Sequence, residues 1–280
     1  MKRIPSQTII RTVADLCVRT CHELPPDVRK ALARAAETET SPLAREILGQ
    51  LLRNADLSVA RQLPLCQDTG LTVVFVERGL EVRIEGSLDE AVQAGVRQGY
   101  DEGYLRKSVV ADPLKARTNT GTNLPAVIHC TEVPGDRLTL TVMAKGGGCE
   151  NKSQFRMFRP TTPVEEILAW IASVATGAGA DACPPLIVGV GIGGNFERCC
   201  ELSKRALLRD LDRAHADPYY ADLERTLLQR INASGVGPQG LGGDTTALAV
   251  LIETAPCHIA SLPVAVNIEC HSHRHRRAVL

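Results

Sequence analysis

Apolar residues recur at helical spacing over residues 8–22, where Ile10, Val13, Cys17 and Cys21 share one stripe, and again over 42–60 behind a Ser41-Pro42 start. The first sixty residues therefore read as a helical layer. A break at 63–70 (LPLCQDTG) leads into two strand-like runs, LTVVFVERG and LEVRIEG, joined by a glycine turn. Ser87-Leu88-Asp89-Glu90 has capping-box spacing and opens a helix to about Tyr104. AVIHCTEV and RLTLTVMAK flank Pro134-Gly135-Asp136, which predicts a hairpin running directly into Gly146-Gly147-Gly148. Thr162-Pro163-Val164-Glu165 opens another capped helix that ends near 177–182. PPLIVGVGIGGNFERCCELSKRALL then reads as strand, glycine turn and helix. A helix around 217–232, the loop GVGPQGLGGD and apolar strands at 245–253 and 260–268 follow.

Helices and strands interleave with no Pro/Ser-rich linker and no internal repeat. The expectation is an α/β fold: mixed β-sheets packed with helices, a helical N-terminal layer, and a single domain over residues 1–280. Lys plus Arg and Asp plus Glu both number 32, so no net field draws nucleic acid or an anionic membrane. Aromatics at 3% argue against base-stacking surfaces. No apolar run has signal-peptide or transmembrane character, so a cytoplasmic protein that binds neither membrane nor nucleic acid is expected.

The ten cysteines are irregularly spaced, unlike a secreted disulfide framework. Cys66, Cys183 and Cys270 fall at segment edges, where thiolates from distant parts of a chain can converge on a metal. Cys17, Cys21, Cys130, Cys199, Cys200 and Cys257 fall within predicted elements and read as small buried hydrophobes. Three thiolates on an iron–sulfur cluster, one short of the usual four, leave an iron open to act as a Lewis acid. His271, His273 and His275 alternate in a basic tail, which reads as a solvated or partner-facing end. Gly189-Val190-Gly191-Ile192-Gly193-Gly194 fits G-x-G-x-x-G between a strand and a helix, so a dinucleotide-binding protein is an alternative of another class. Against it, the acidic residue about twenty positions on, Asp210, does not end a second strand. A tight turn with small residues for packing, or an anion site at the helix start, are the other readings.

Five motifs occur in order: Cys66-Gln67-Asp68-Thr69-Gly70, residues 119–126 (NTGTNLPA), Ala144-Lys145-Gly146-Gly147-Gly148 with Asn151-Lys152, Ala182-Cys183-Pro184-Pro185, and Gly193-Gly194. Together they resemble the alpha subunit, or N-terminal domain, of the class I fumarate hydratase and L(+)-tartrate dehydratase family, over roughly residues 8 to 272. The resemblance implies a hydro-lyase with a 4Fe-4S cluster, three cysteine ligands (Cys66, Cys183 and Cys270) and one open iron. It implies reversible hydration of a C4 dicarboxylate, fumarate to malate, with L(+)-tartrate dehydration as the alternative. Substrate contacts fall on Gln67, Asp68, Arg106 and Gly148, and catalytic roles on Asp68 and His258. The carbon base is implied to come from a beta subunit, in an assembly of two alpha and two beta chains.

Each residue type suits its implied role. Asp68 beside a ligand can protonate a departing hydroxyl, with His258 tuning it, although an aspartate there can also simply shape an Asx-turn. Arg106 offers a planar fork to a carboxylate, or caps helix-end carbonyls. The glycines at 146–148 let an anion approach the backbone amides where a Cβ would collide. His258, read as lying on an apolar strand, gains a role only through the resemblance.

Overall fold

The computed structural model describes all 280 residues. In chain order the elements are β1 (Lys2–Pro5), α1 (Ser6–His22), α2 (Pro26–Thr38), α3 (Pro42–Arg61), β2 (Leu71–Gly79), β3 (Val82–Glu85), α4 (Leu88–Glu102), β4 (Val127–Val133) and β5 (Leu138–Lys145). They continue with α5 (Gly147–Glu150), β6 (Gln154–Phe158), α6 (Val164–Ala178), β7 (Leu186–Gly193), α7 (Phe196–Ala206), α8 (Pro218–Asn232), β8 (Ala247–Ala255), β9 (Leu262–Glu269) and β10 (His275–Val279). Helices and mixed sheets alternate, as the pattern predicted. No helix is long and apolar enough to cross a membrane. The chain divides into two compact units, one made of Met1–Pro25, Ala55–Gly147 and Arg274–Leu280, the other of Pro26–Asn54 and Gly148–His273.

In the first unit, α1 buries Ile9, Val13, Leu16, Cys17 and Cys21 at helical spacing, and packs on α4 and β5. The helices come close because α4 offers Gly95 and Gly99, where a Cβ would lie 2.7 Å from the Ile10 and Ala14 carbonyl oxygens respectively. Ser87 caps α4 by accepting the Glu90 amide, as its spacing predicted. The main sheet has the order β10-β5-β2-β4, and β1 pairs in parallel with β3 in a separate ribbon.

That order replaces the expected hairpin between β4 and β5. The turn at 134–136 exists, but β2 lies between the two strands, parallel to β4 and antiparallel to β5. Val73 to Val76 are all buried, so β2 needs partners on both edges, whereas β4 is largely exposed and suits an edge. The turn's carbonyls instead receive amides from beyond β2: Leu80 N donates to Val133 O at 2.9 Å, and Glu81 N to Gly135 O at 2.9 Å.

The basic tail is not a solvated end. Residues 275–279 form β10 on the outer edge of β5, and Ser272, His273 and Arg274 just before it are buried. Every residue of β5 is buried, so its second edge cannot be left to water, and the tail supplies the missing ladder. Its charges find partners as well: Arg276 bonds Glu23 at 2.9 Å and the Leu24 carbonyl at 3.2 Å, and Arg277 approaches Glu77 at 3.4 Å.

His22, the last residue of α1, is 5% exposed, and no hydrogen bond of ordinary geometry reaches either ring nitrogen. Burial holds its pKa below the usual value, outweighing Glu23 and the Gly103 backbone, which pull it up. Between the folded pKa and the unfolded value of about 6.5, the unfolded chain binds more protons. Stability contributed by neutral His22 is thus complete above about pH 6.5 and falls as pH drops through that window. Urea titrations at stepped pH should show this loss, and His22→Leu should flatten it.

In the second unit the sheet order is β6-β9-β7-β8, with β7 parallel to β8 and antiparallel to β9. Side chains along β7 alternate between faces. Val188 and Val190 enter a core shared with Ile167, Ile171, Leu227 and Ile231 of α6 and α8, while Gly189 and Gly191 face α7. α7 and α8 are capped by Asn195 and Asp217 through the Arg198 and Tyr219 amides. The side-chain cap predicted for α6 does not form. Pro163 occupies that position, and Glu165 pairs with Arg230 instead.

Candidate functional site

The loop between α3 and β2 carries Cys66, Gln67 and Asp68. Leu65 N donates to Cys21 O at 2.9 Å, pinning the loop to the C-terminal end of α1. Cys66 is half-buried, and its thiol donates to Gln67 Oε1 at 3.2 Å. Asp68 is clamped through both oxygens: Oδ1 accepts the Gly70 amide at 2.9 Å and Oδ2 the Gly147 amide at 2.8 Å. The Asx-turn expected as a purely structural alternative is therefore present, and the second oxygen reaches the glycine triplet as well. Each carboxylate oxygen still has a second acceptor direction. Gly70 has φ +74°, and a Cβ there would sit 2.5 Å from the Lys145 carbonyl oxygen, so only glycine lets the loop pass so close to the end of β5.

Arg106 lies just past α4, with its side chain exposed. Its carbonyl accepts the Thr69 hydroxyl at 2.9 Å, so the guanidinium springs from a backbone tied to the Asp68 loop and does not cap a helix end. Asn123 and Tyr100, neither singled out from the sequence, complete this frame. Asn123 Nδ2 donates to Gly70 O at 3.1 Å, its Oδ1 accepts Ser108 N at 2.7 Å, and Tyr100 Oη lies 2.9 and 3.0 Å from the Thr69 and Gly70 carbonyls. Burial raises the Tyr100 pKa far enough to keep it a donor. The one sequence cue for Asn123 was its place in the 119–126 motif.

The first two glycines of the triplet are not held by close packing. A Cβ on Gly146 or Gly147 would meet nothing closer than Asp68 Oδ2, at 3.5 and 3.7 Å, and Arg274 Nη2 is 3.8 Å from the Gly146 position. Neither glycine has a positive φ, so the protein's own packing does not demand glycine there. A Cβ would fit beside the Asp68 carboxylate without a clash, so the bare backbone there is open to explanation by a ligand.

In the second unit, Gly148 lies against the segment that carries Cys183. A Cβ on Gly148 would be 3.2 Å from Asp181 O, the Cys149 thiol donates to Ala182 O at 3.4 Å, and Lys152 pairs with Asp181 at 2.7 Å, lowering the Asp181 pKa. Cys183 is exposed at left-handed φ of 52°, and Cys270 is half-buried directly after β9. The fold joins these two segments: the Cys183 carbonyl accepts His271 N at 3.4 Å and lies 2.9 Å from His271 Nδ1. Gln239 adds a brace, its amide nitrogen donating to Pro184 O at 2.8 Å and lying 3.2 Å from His271 Nδ1.

His258 is not on a strand. It stands exposed in the turn between β8 and β9, where its Nδ1 accepts the Ala260 amide at 3.1 Å and its carbonyl the Ser261 amide at 2.9 Å. The apolar run beginning at 260 is interrupted by this turn, and β9 starts only at Leu262.

The other cysteines separate by environment. Burial pushes the Cys17 thiol well above its usual range, Cys21 to about 11 and Cys199 to about 12, and it raises Cys200 too. Cys130 and Cys257 are exposed, on the edge strand β4 and in the His258 turn, and are not the buried hydrophobes expected. At pH 8, iodoacetamide should label Cys130, Cys183 and Cys257 within minutes and leave Cys17, Cys21 and Cys199 unmodified by peptide mapping.

No three His, Cys, Asp or Glu side chains gather closely enough to hold a single metal ion. A cluster makes a different demand, one ionisable thiol for each of three irons. Cys66, Cys183 and Cys270 fit it in kind: all lie outside regular elements and none is fully buried.

The glycine-rich turn at 189–194 is filled by the protein. A Cβ would lie 2.1 Å from Ser203 O at Gly189, 2.2 Å from Cys199 O at Gly191 and 2.0 Å from Ala255 O at Gly193. These glycines admit α7 and β8, which is the packing reading of the motif, and Asp210 follows α7 without ending any strand.

Comparison with known proteins agrees with the resemblance. The family model for fumarate hydratase (fumerase) matches residues 10–279. The chain is 38% identical over 272 residues to a putative L(+)-tartrate dehydratase subunit alpha of Methanocaldococcus jannaschii, covering 94% of this chain and 95% of the other. It is 31% identical over 264 residues to the L(+)-tartrate dehydratase subunit alpha of Escherichia coli strain UTI89, covering 94% and 87%. With the family model spanning nearly the whole chain and the motif residues set in the loops described, this protein belongs to the fumarate hydratase family and is a hydro-lyase of the alpha-subunit type.

Proposed function

We propose that the chain is the alpha subunit of a 4Fe-4S hydro-lyase that interconverts fumarate and malate, with Cys66, Cys183 and Cys270 as the cluster's ligands. The observation that supports this most is Asp68, one residue from Gln67 and two from Cys66, with both oxygens held by the amides of Gly70 and Gly147 beside a bare glycine backbone. When bound, the cluster supplies Lewis acidity at its open iron toward a substrate hydroxyl and carboxylate.

The chain's own groups do the rest. The Arg106 fork binds one substrate carboxylate, a charge-assisted contact of about 1.5–3 kcal/mol. Gln67 and the Gly148 amide orient the same dicarboxylate. Asp68 gives a proton to the departing hydroxyl and recovers it in the reverse direction. His258, with Nδ1 occupied by the Ala260 amide, carries its proton on Nε2 and presents that N–H as the donor that tunes proton transfer. The base that removes the proton from carbon comes from a beta subunit, in a complex of two alpha and two beta chains. A reducing cytoplasm suits the ten free thiols.

L(+)-tartrate is a second reading, favoured by the names of the relatives from M. jannaschii and E. coli. The test is anaerobic purification of the chain with and without its beta partner, followed by assays on malate, fumarate, mesaconate and tartrate. The complex is expected to be brown and active on malate and fumarate, and the chain alone nearly inactive. Single serine substitutions at Cys66, Cys183 and Cys270 should each strip most of the iron. Full iron content in those variants would overturn the ligand set, and turnover of tartrate alone would overturn the fumarate reading.

A further inference from the structure

We propose that Asn123 is a positioning residue that sets the span between Arg106 and Asp68, and thereby the length of dicarboxylate the site accepts. The inference rests on the functional reading above.

The geometry that carries it lies within the first unit. Asn123 is completely buried, and its amide group is used at both ends, Nδ2 on Gly70 O at 3.1 Å and Oδ1 on Ser108 N at 2.7 Å. The two ends lead to different functional groups. On one side, the Gly70 residue whose carbonyl Asn123 holds gives its amide to Asp68 Oδ1 at 2.9 Å. On the other, Ser108 is two residues from Arg106, whose carbonyl takes the Thr69 hydroxyl at 2.9 Å. One planar amide thus spaces the backbone under the acid from the backbone under the guanidinium, and Thr69 closes the frame. Rotating or lengthening that amide would move the two groups relative to each other without touching either.

The residue type fits. Asn123 has φ of 59°, in the left-handed region that asparagine tolerates better than most residues. An aspartate there would still accept from Ser108 N but would set an oxygen against Gly70 O, while a glycine would keep the backbone and lose both bonds.

The test uses the anaerobically loaded complex with its beta partner. Malonate, succinate and glutarate serve as competitive inhibitors of graded length, with calorimetric binding measured in parallel. The unsubstituted complex should prefer succinate over both others by about tenfold or more. Asn123→Asp and Asn123→Gly should each reduce that preference to about threefold or less and raise KM for malate about tenfold, with iron content and visible absorbance retained. Thr69→Val, which cuts the second strap, should act in the same direction. An equal weakening of all three inhibitors, or a lower active fraction with unchanged inhibition constants, would show that Asn123 only supports the fold and would overturn the inference alone. Failure of the unsubstituted complex to bind any dicarboxylate would overturn the functional reading and the inference with it.

Discussion

Replacing Asp68 by asparagine is expected to lower kcat of the loaded complex by about 10²–10⁴-fold, the range for losing a positioned general acid. It should also lower stability. Asp68 accepts two backbone amides, one on each oxygen, and asparagine offers one acceptor and one donor. The Gly70 or the Gly147 amide is left facing an NH₂ group, at a cost of about 1–3 kcal/mol. Both effects can be read on one sample, kcat by malate turnover and stability by urea unfolding, with iron content as the check on loading. If activity falls only in proportion to the folded fraction, Asp68 is a turn residue and the proton donor lies elsewhere.

A methyl group on Gly189 should destabilise the second unit by about 3 kcal/mol, near the upper end of what overpacking costs. It would lie 2.1 Å from Ser203 O and 2.7 Å from Leu207 Cγ, and the first of these is backbone inside a helix. A flexible side chain could swing away, but here α7 as a whole must move off β7. Gly177→Ala is the control: it lies in α6 with nothing within 4 Å of the added atom, so alanine there should be neutral or stabilising by about 0.5–1 kcal/mol. Thermal or urea unfolding of the two variants should differ in sign. Equal stability would mean that the strand and helix do not approach so closely, and the dinucleotide reading of 189–194 would regain ground.

The same motif illustrates what was legible in the sequence. Strand, glycine turn and helix were readable from period and turn chemistry, but which atoms fill the space above a glycine depends on the neighbouring elements, so ligand and helix could not be separated beforehand. Helix positions were the most legible, because a stripe such as that of α1 repeats over several turns. Strand partners were the least: β4 and β5 looked like neighbours because a good turn joins them, and only the burial of β2 on both edges explains why it is inserted. For the candidate site, the motifs drew attention to Cys66, Asp68 and Cys183, while Cys270 stood out only by its place at a segment edge and through the resemblance. The frame beneath Asp68 and Arg106 was hidden, since Tyr100, Ser108 and Asn123 come from separate segments and act partly through main-chain atoms.

The tail strand β10 has a consequence for how the molecule is made. β5 and β2 leave the ribosome well before residues 275–279, so during synthesis the inner strand β5 has a ladder on one flank only. The unit that begins the chain therefore cannot complete its sheet until translation has passed through all of the other.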